Sequence, residues 1–164
     1  MRHPIGQTSN GVAVYVDLIQ SQAAKRIAQQ PRLLNLVAEA LQQVKLRDAE
    51  VNIEHDMGRA IGYSSVVKTA GTDGIFYAQL LRDDTYIRFV KNGKPSSTQH
   101  LSMLLRRDKD DTYELQDAWI GNLNPPRPGT TGETAESKPY WATHAIILGN
   151  EPLQLRTITK DCPY

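Results

Sequence analysis

Thr85-Tyr86-Ile87-Arg88-Phe89-Val90-Lys91 alternates residue by residue. That period of two predicts a strand with Ile87 and Phe89 toward a core and Tyr86, Arg88 and Val90 on the opposite face. The segments around it, residues 63–69, 75–81, 100–106 and 112–120, are equally short and rich in β-branched or aromatic side chains. Turn-forming clusters separate them: Ala70-Gly71-Thr72-Asp73-Gly74, Arg82-Asp83-Asp84, Asn92-Gly93-Lys94-Pro95 and Asp108-Lys109-Asp110-Asp111. Connections this short favour antiparallel neighbours over crossovers. Residues 141–148 and 153–159 read as a last pair of strands joined through Gly149-Asn150-Glu151-Pro152.

Upstream the period changes. Asp17 is placed as an N-cap with Gln20 in capping-box register, and Ile19, Ala23 and Ile27 follow on one face. Pro31 ends that helix and suits the first turn of the next, where Leu34, Val37, Leu41 and Val44 keep helical spacing. Helices are therefore predicted at 17–29 and 32–46. Residues 1–12, rich in Gly, Ser, Asn and Thr, read as a loose arm. Residues 121–140 hold Pro125, Pro126, Pro128, Gly129 and Gly132 and read as a long surface loop. Its first half is expected to pack beside Trp119, its second half to be mobile, and Trp141 to re-anchor the chain. The expected fold is a single α+β domain over residues 1–164. In it, two N-terminal helices pack on one face of an antiparallel sheet of about five to seven strands, leaving the other face for a cleft.

Composition narrows the function. Lys and Arg number 19 against 18 Asp and Glu, a net charge of +1 on 164 residues. This excludes a chain coated in positive charge, though opposite charges elsewhere can mask a local basic cleft. Cys162 is the sole cysteine, so neither an intrachain disulfide nor a Cys-based zinc site can form. No apolar run approaches the ~18 residues of a membrane-spanning helix. The start, Met1-Arg2-His3-Pro4-Ile5-Gly6-Gln7, has no apolar signal segment. The expectation is a soluble, cytoplasmic protein with no membrane partner; export by a route other than Sec leaves no readable trace.

A P-loop, a G-x-G-x-x-G fingerprint, a His-Glu-x-x-His helix and a nucleophile elbow are all absent. Histidines and arginines remain. His55, in Glu54-His55-Asp56-Met57-Gly58-Arg59, is flanked by two carboxylates that favour its charged form. It reads as a general base or acid, or as an ordinary loop histidine. His144 shares a strand face with Ala142, Ile146 and Leu148, as a core histidine or an acid. His100 shares a face with Ser102, as a site or as a solvated surface. Arg88, Lys91, Lys94, Arg106 and Arg107 are able to gather on one sheet surface and grip a phosphate, or to form a solvated face with the intervening Asp residues. Trp119 and Trp141, at strand ends beside the loop, suit nucleobase stacking or loop anchoring. No two histidines sit at metal-ligand spacing, so neither a metal nor a cofactor is expected.

Several of these stretches together carry a resemblance. They are His55-x-x-Gly58-x-x-x-Gly62 through Thr69, Arg88-Phe89-Val90-Lys91-Asn92, Tyr113-Glu114-Leu115 running into Ala118-Trp119-Ile120-Gly121, Pro125-Pro126-x-Pro128-Gly129 and Trp141-x-x-His144-Ala145. Over roughly residues 50–148 the chain resembles a family of small uncharacterised bacterial proteins. In its order of helices followed by a meandering sheet it is similar to ribonuclease toxins of the barnase, EndoU and RelE-like fold. The resemblance implies metal-independent RNA cleavage through the 2′-hydroxyl. His55 would be base and His144 acid, Arg88 would stabilise the phosphorane, and Arg59, Lys68, Thr69, Thr98, His100 and Trp119 would bind substrate. The partner is then RNA, or a protein such as an antitoxin. The alternative is a non-catalytic module of bacterial origin whose sheet and Pro-rich loop bind a protein.

Overall fold

A computed structural model describes residues 2–71, 73–81, 84–149 and 152–164. The turns expected at Arg82-Asp83-Asp84 and at Gly149-Asn150-Glu151-Pro152 fall partly outside these residues. The chain forms two compact units. Unit 1 comprises Met1–Gly62 and Ser97–Leu123, and unit 2 comprises Tyr63–Ser96 and Asn124–Tyr164.

The expected α+β arrangement, two N-terminal helices packed on one antiparallel sheet of about five to seven strands, is overturned. The described residues form eleven strands and three short α-helices, and the strands divide among a five-stranded, a four-stranded and a two-stranded sheet. The chain begins with strands. β1 (Arg2–Gln7) pairs antiparallel with β2 (Ala13–Asp17), occupying the stretch expected as a loose arm. Between them Thr8 N donates to Val12 O and Gly11 N to Thr8 O, with Gly11 at φ 79°. Asn10-Gly11 at this turn is a hairpin signal that the polar composition had masked.

In unit 1, helices α1 (Gln22–Gln29) and α2 (Arg32–Leu41) are shorter than expected. Asp17 ends β2 instead of capping α1: its Oδ1 accepts from Ile19 N at 2.8 Å and Gln20 N at 3.0 Å. Those two bonds hold the Asp17 carboxyl below its ordinary value. The cap is Ser21, whose hydroxyl accepts from Ala24 N at 3.0 Å. The five-stranded sheet continues with β3 (Glu50–Asp56), β9 (His100–Arg107) and β10 (Tyr113–Ile120), in the order β1-β2-β10-β9-β3. β10 runs parallel to β2 and antiparallel to β9, with a bulge between Leu115 and Asp117. Val16, Val37, Leu41, Leu101, Met103 and Leu115 are sealed within one apolar cluster.

Two short strands, β4 (Gly62–Ser64) and β8 (Ser96–Thr98), pair with each other. Unit 2 holds β5 (Val66–Lys68), β6 (Ile75–Gln79), β7 (Tyr86–Val90) and β11 (His144–Ile147), in the order β5-β11-β7-β6. β6 and β7 form an antiparallel hairpin, whereas β11 is parallel to β7. Short connections hid both parallel pairings, because parallel neighbours need a crossover of a dozen residues or more. Helix α3 (Ser137–Trp141) takes Trp141 out of the strand expected there, and Pro139 is tolerated in its first turn. The strand expected at 153–159 reduces to a 3-10 turn over Leu155–Thr157 between bridges at Leu153 and Thr159.

Phe76 and Phe89 stack at 5.5 Å on one face of this sheet, in a cluster with Trp141 and Ile146. Val67, Val90, Ala145 and Ile147 form a second cluster. A Cβ on Gly93 would lie 2.7 Å from Cγ1 of the fully buried Val90. Gly93→Ala is therefore expected to cost about 1–3 kcal/mol, read from urea midpoints. Gly74→Ala, whose Cβ would meet Lys91 Cβ at an ordinary 3.7 Å, is the matched control and should be nearly neutral.

Candidate functional site

The residues singled out for chemistry divide between the units. His55, Arg59, Thr98, His100 and Trp119 belong to unit 1; Lys68, Thr69, Arg88 and His144 belong to unit 2.

In unit 1, His55 lies on β3, not in a loop, and pairs with Leu101. Strand alternation sends Glu54 and Asp56 to the face opposite His55, so the two flanking carboxylates do not bracket its ring. His55 Nε2 instead meets Gln43 Oε1 at 3.1 Å. Glu54 accepts from Leu123 N at 2.8 Å, and Asp56 from Gly58 N at 2.8 Å. Arg59 grips Glu39 with two bonds of 2.6 and 2.8 Å. That grip, helped by His55, holds the Glu39 carboxyl below its ordinary value. What the exposed pair adds to stability is present above the unfolded carboxylate value and fades as pH falls through the folded one.

Thr98 is buried, and its hydroxyl accepts from His100 N at 3.1 Å. His100 pairs with Asp56 across β3 and β9. The Trp119 indole donates to Asn122 O at 3.0 Å, and the Arg26 guanidinium sits 5.4 Å from its ring. This tryptophan anchors the start of the loop.

In unit 2, Ile146 pairs with Phe89 and shares its cluster, which fixes the face on which His144, two residues earlier, also lies. Tyr140 of α3 stacks on the His144 ring at 3.9 Å and an interplanar angle of 5°. His144 Nδ1 lies 2.9 Å from the Tyr140 carbonyl and 3.0 Å from the Thr143 hydroxyl; in a bond to the carbonyl, an acceptor only, Nδ1 is the donor. In that tautomer Nε2 holds the lone pair, the posture of a base. Lys68 stands directly opposite His144 in the β5–β11 register, so the ammonium and the imidazole share a face. Tyr140 Oη donates to Asn124 Oδ1 at 2.6 Å.

Arg88 does not join this group. It neighbours Phe89 on β7 and pairs with Tyr77, which places both side chains on the other face of the sheet. Its Nη1 donates to Thr69 Oγ1 at 2.7 Å and to the His144 carbonyl at 3.3 Å. The arginine touches the histidine's backbone while their side chains point apart.

Sequence reasoning missed Tyr140, which stacks on the His144 ring, because residues 121–140 read as loop throughout. It also missed Tyr77 and Tyr164, whose rings meet edge-on at 5.9 Å. Among the described residues, no helix is long and apolar enough to cross a membrane, and no three His, Cys, Asp or Glu side chains gather to hold a metal ion. A scan against protein-family models and searches of curated proteins and of solved structures find no match to this chain.

Proposed function

We propose that the protein is a metal-independent endoribonuclease whose reaction centre lies on the His144 face of unit 2. One observation supports this reading above the rest: His144 Nδ1 lies 2.9 Å from the Tyr140 carbonyl, and by donating there it leaves Nε2 as a base on the face it shares with Lys68. In the reaction, Nε2 takes the proton of the ribose 2′-hydroxyl and the 2′-oxygen bonds to phosphorus. The bond from phosphorus to the 5′-oxygen breaks, and that oxygen takes a proton from the Lys68 ammonium. The same ammonium offsets charge on the phosphorane. His144 moves from the role of acid to that of base, and His55 and Arg88 leave the reacting set.

The test is purified protein incubated with mixed cellular RNA in the presence of a chelator. Cleavage leaving 2′,3′-cyclic phosphate ends is expected, falling by about 10²-fold or more in His144→Ala and unchanged in His55→Ala. Uncut RNA, cleavage that needs a divalent metal, or full activity in His144→Ala each overturn the proposal. A second reading, a non-catalytic module that binds a protein partner, draws support from Leu81, Leu155 and Ile158 of unit 2, exposed at 64%, 76% and 45%. Uncut RNA shifts the weight to it.

A further inference from the structure

Arg88 lies on the face of the unit 2 sheet opposite Phe89 and the His144 ring. Arg88 is partly buried, in the middle of β7. Its hydrogen bonds leave from Nη1 and reach neutral oxygens only, Thr69 Oγ1 at 2.7 Å and the His144 carbonyl at 3.3 Å. Nε is shut off from solvent and meets no acceptor. No carboxylate among the described residues pairs with this guanidinium. The unspent edge, Nε with Nη2, is the side by which an arginine grips two oxygens of one anion. A guanidinium drawn partly out of water is normally compensated by a partner.

The neighbours supply donors. Tyr77 is paired with Arg88 in register, and its hydroxyl lies beside the Cys162 thiol and the guanidinium. Tyr164 meets Tyr77 edge-on and feels the charges of both Arg88 and Arg127. Burial, more than the nearby thiol, raises the Tyr77 hydroxyl above its ordinary value. Burial, with Tyr77 next in weight, pushes Tyr164 up to about 12. Both therefore keep their protons at neutral pH and can donate.

We propose that Arg88, Tyr77 and Tyr164 form a binding site for a tetrahedral oxyanion of the phosphate class. The anion accepts from the Nε–Nη2 edge of Arg88 and from the two phenolic hydroxyls, while Thr69 holds Nη1 and fixes the plane of the fork. The site is independent of the nuclease reading, since it lies on the sheet face opposite the His144 ring. Its ligand is inorganic phosphate, a phosphomonoester or the phosphodiester of a nucleic acid, which share this chemistry.

The experiment is calorimetric titration of the full chain with inorganic phosphate, with phenyl phosphate and with a cleavage-resistant 2′-O-methyl oligonucleotide, each against sodium chloride of equal ionic strength. Saturable binding at one site is expected, together with a rise in Tm that chloride does not produce. Arg88→Lys keeps the charge but loses the fork, and should weaken binding tenfold or more. Tyr77→Phe removes one hydroxyl, keeps the ring and should weaken it several-fold. His144→Ala should bind inorganic phosphate as wild type does, so failure of RNA cleavage and failure of this site are read separately. The relative affinities of the three ligands identify the source of the phosphate. No binding above the chloride control, or wild-type affinity in both Arg88→Lys and Tyr77→Phe, overturns the proposal.

Discussion

Phe89→Ala is expected to destabilise unit 2 by about 3–5 kcal/mol, the range for emptying a buried aromatic site. Phe89 is fully buried on β7, the strand between β6 and β11, and its ring stacks on Phe76 at 5.5 Å and 18°. Truncation removes the ring's own transfer energy and its aromatic contact. It leaves a cavity lined by Phe76, Ile146 and Trp141 that backbone pairing on both sides of β7 keeps from collapsing. The two tryptophans make the effect readable, since Trp119 belongs to unit 1 and Trp141 to unit 2. In Trp119→Phe protein, where Trp141 alone reports, the urea midpoint should fall sharply. Phe89→Leu, which refills part of the space, should recover more than half of the loss. A change below about 1 kcal/mol would mean that Phe89 is not the centre of this core.

The strand carrying Phe89 was also the most legible part of the sequence, and the reason is local. Period-two alternation depends only on which way successive side chains point, so Ile87 and Phe89 on one face and Arg88 on the other could be read directly. The hairpins β6–β7 and β9–β10 were legible for a similar reason, because turn residues mark short connections. Pairing between distant segments left no such mark. Nothing near residue 144 says that β11 lies parallel to β7, and nothing near residue 113 says that β10 lies parallel to β2. The helices were legible in existence but not in extent. Asp17 and Ser21 are both good caps, and the strand β2 claims the first of them.

The site was less legible than the fold because proximity in sequence misleads on a strand. Glu54 and Asp56 flank His55 in the chain, yet the pleat turns them to the opposite face. Arg88 and His144 sit on adjacent strands and touch through a backbone carbonyl, yet their side chains occupy opposite faces. The faces read for β7, Ile87 and Phe89 on one side and Arg88 on the other, agree with the structure. What the sequence lacked was the register that decides which faces coincide, and one residue of slip exchanges them all. Tyr140 shows a different limit. Its position over the His144 ring depends on a short helix whose sequence, Ser137-Lys138-Pro139-Tyr140-Trp141, carries no apolar period long enough to be seen.

Trp141→Ala should cost as much as Phe89→Ala, about 3–5 kcal/mol, for reasons that reach the long loop. The indole is 4% exposed, packs with Phe76 and Phe89, and donates from Nε1 to the Pro125 carbonyl at 2.9 Å. It therefore binds the first half of the loop to the core from the loop's far end. Trp141→Phe separates the two contributions, keeping most of the packing and losing the bond, and should cost about 1–2 kcal/mol. The second half of the loop, expected as a mobile stretch, is itself tied down in part. Gly129 N donates to Glu133 Oε1 at 2.6 Å, Thr134 N donates to the Ser137 hydroxyl at 2.9 Å, and Ser137 is fully buried. Deleting 130–137 would thus cut into the start of α3 and cost far more than loop-closure entropy. Removing only Thr131 and Gly132, both exposed, should cost under about 0.5 kcal/mol. Denaturant titrations of the three variants decide the matter. If Trp141→Ala loses less than the two-residue deletion, the indole does not hold the loop and the anchoring argument fails.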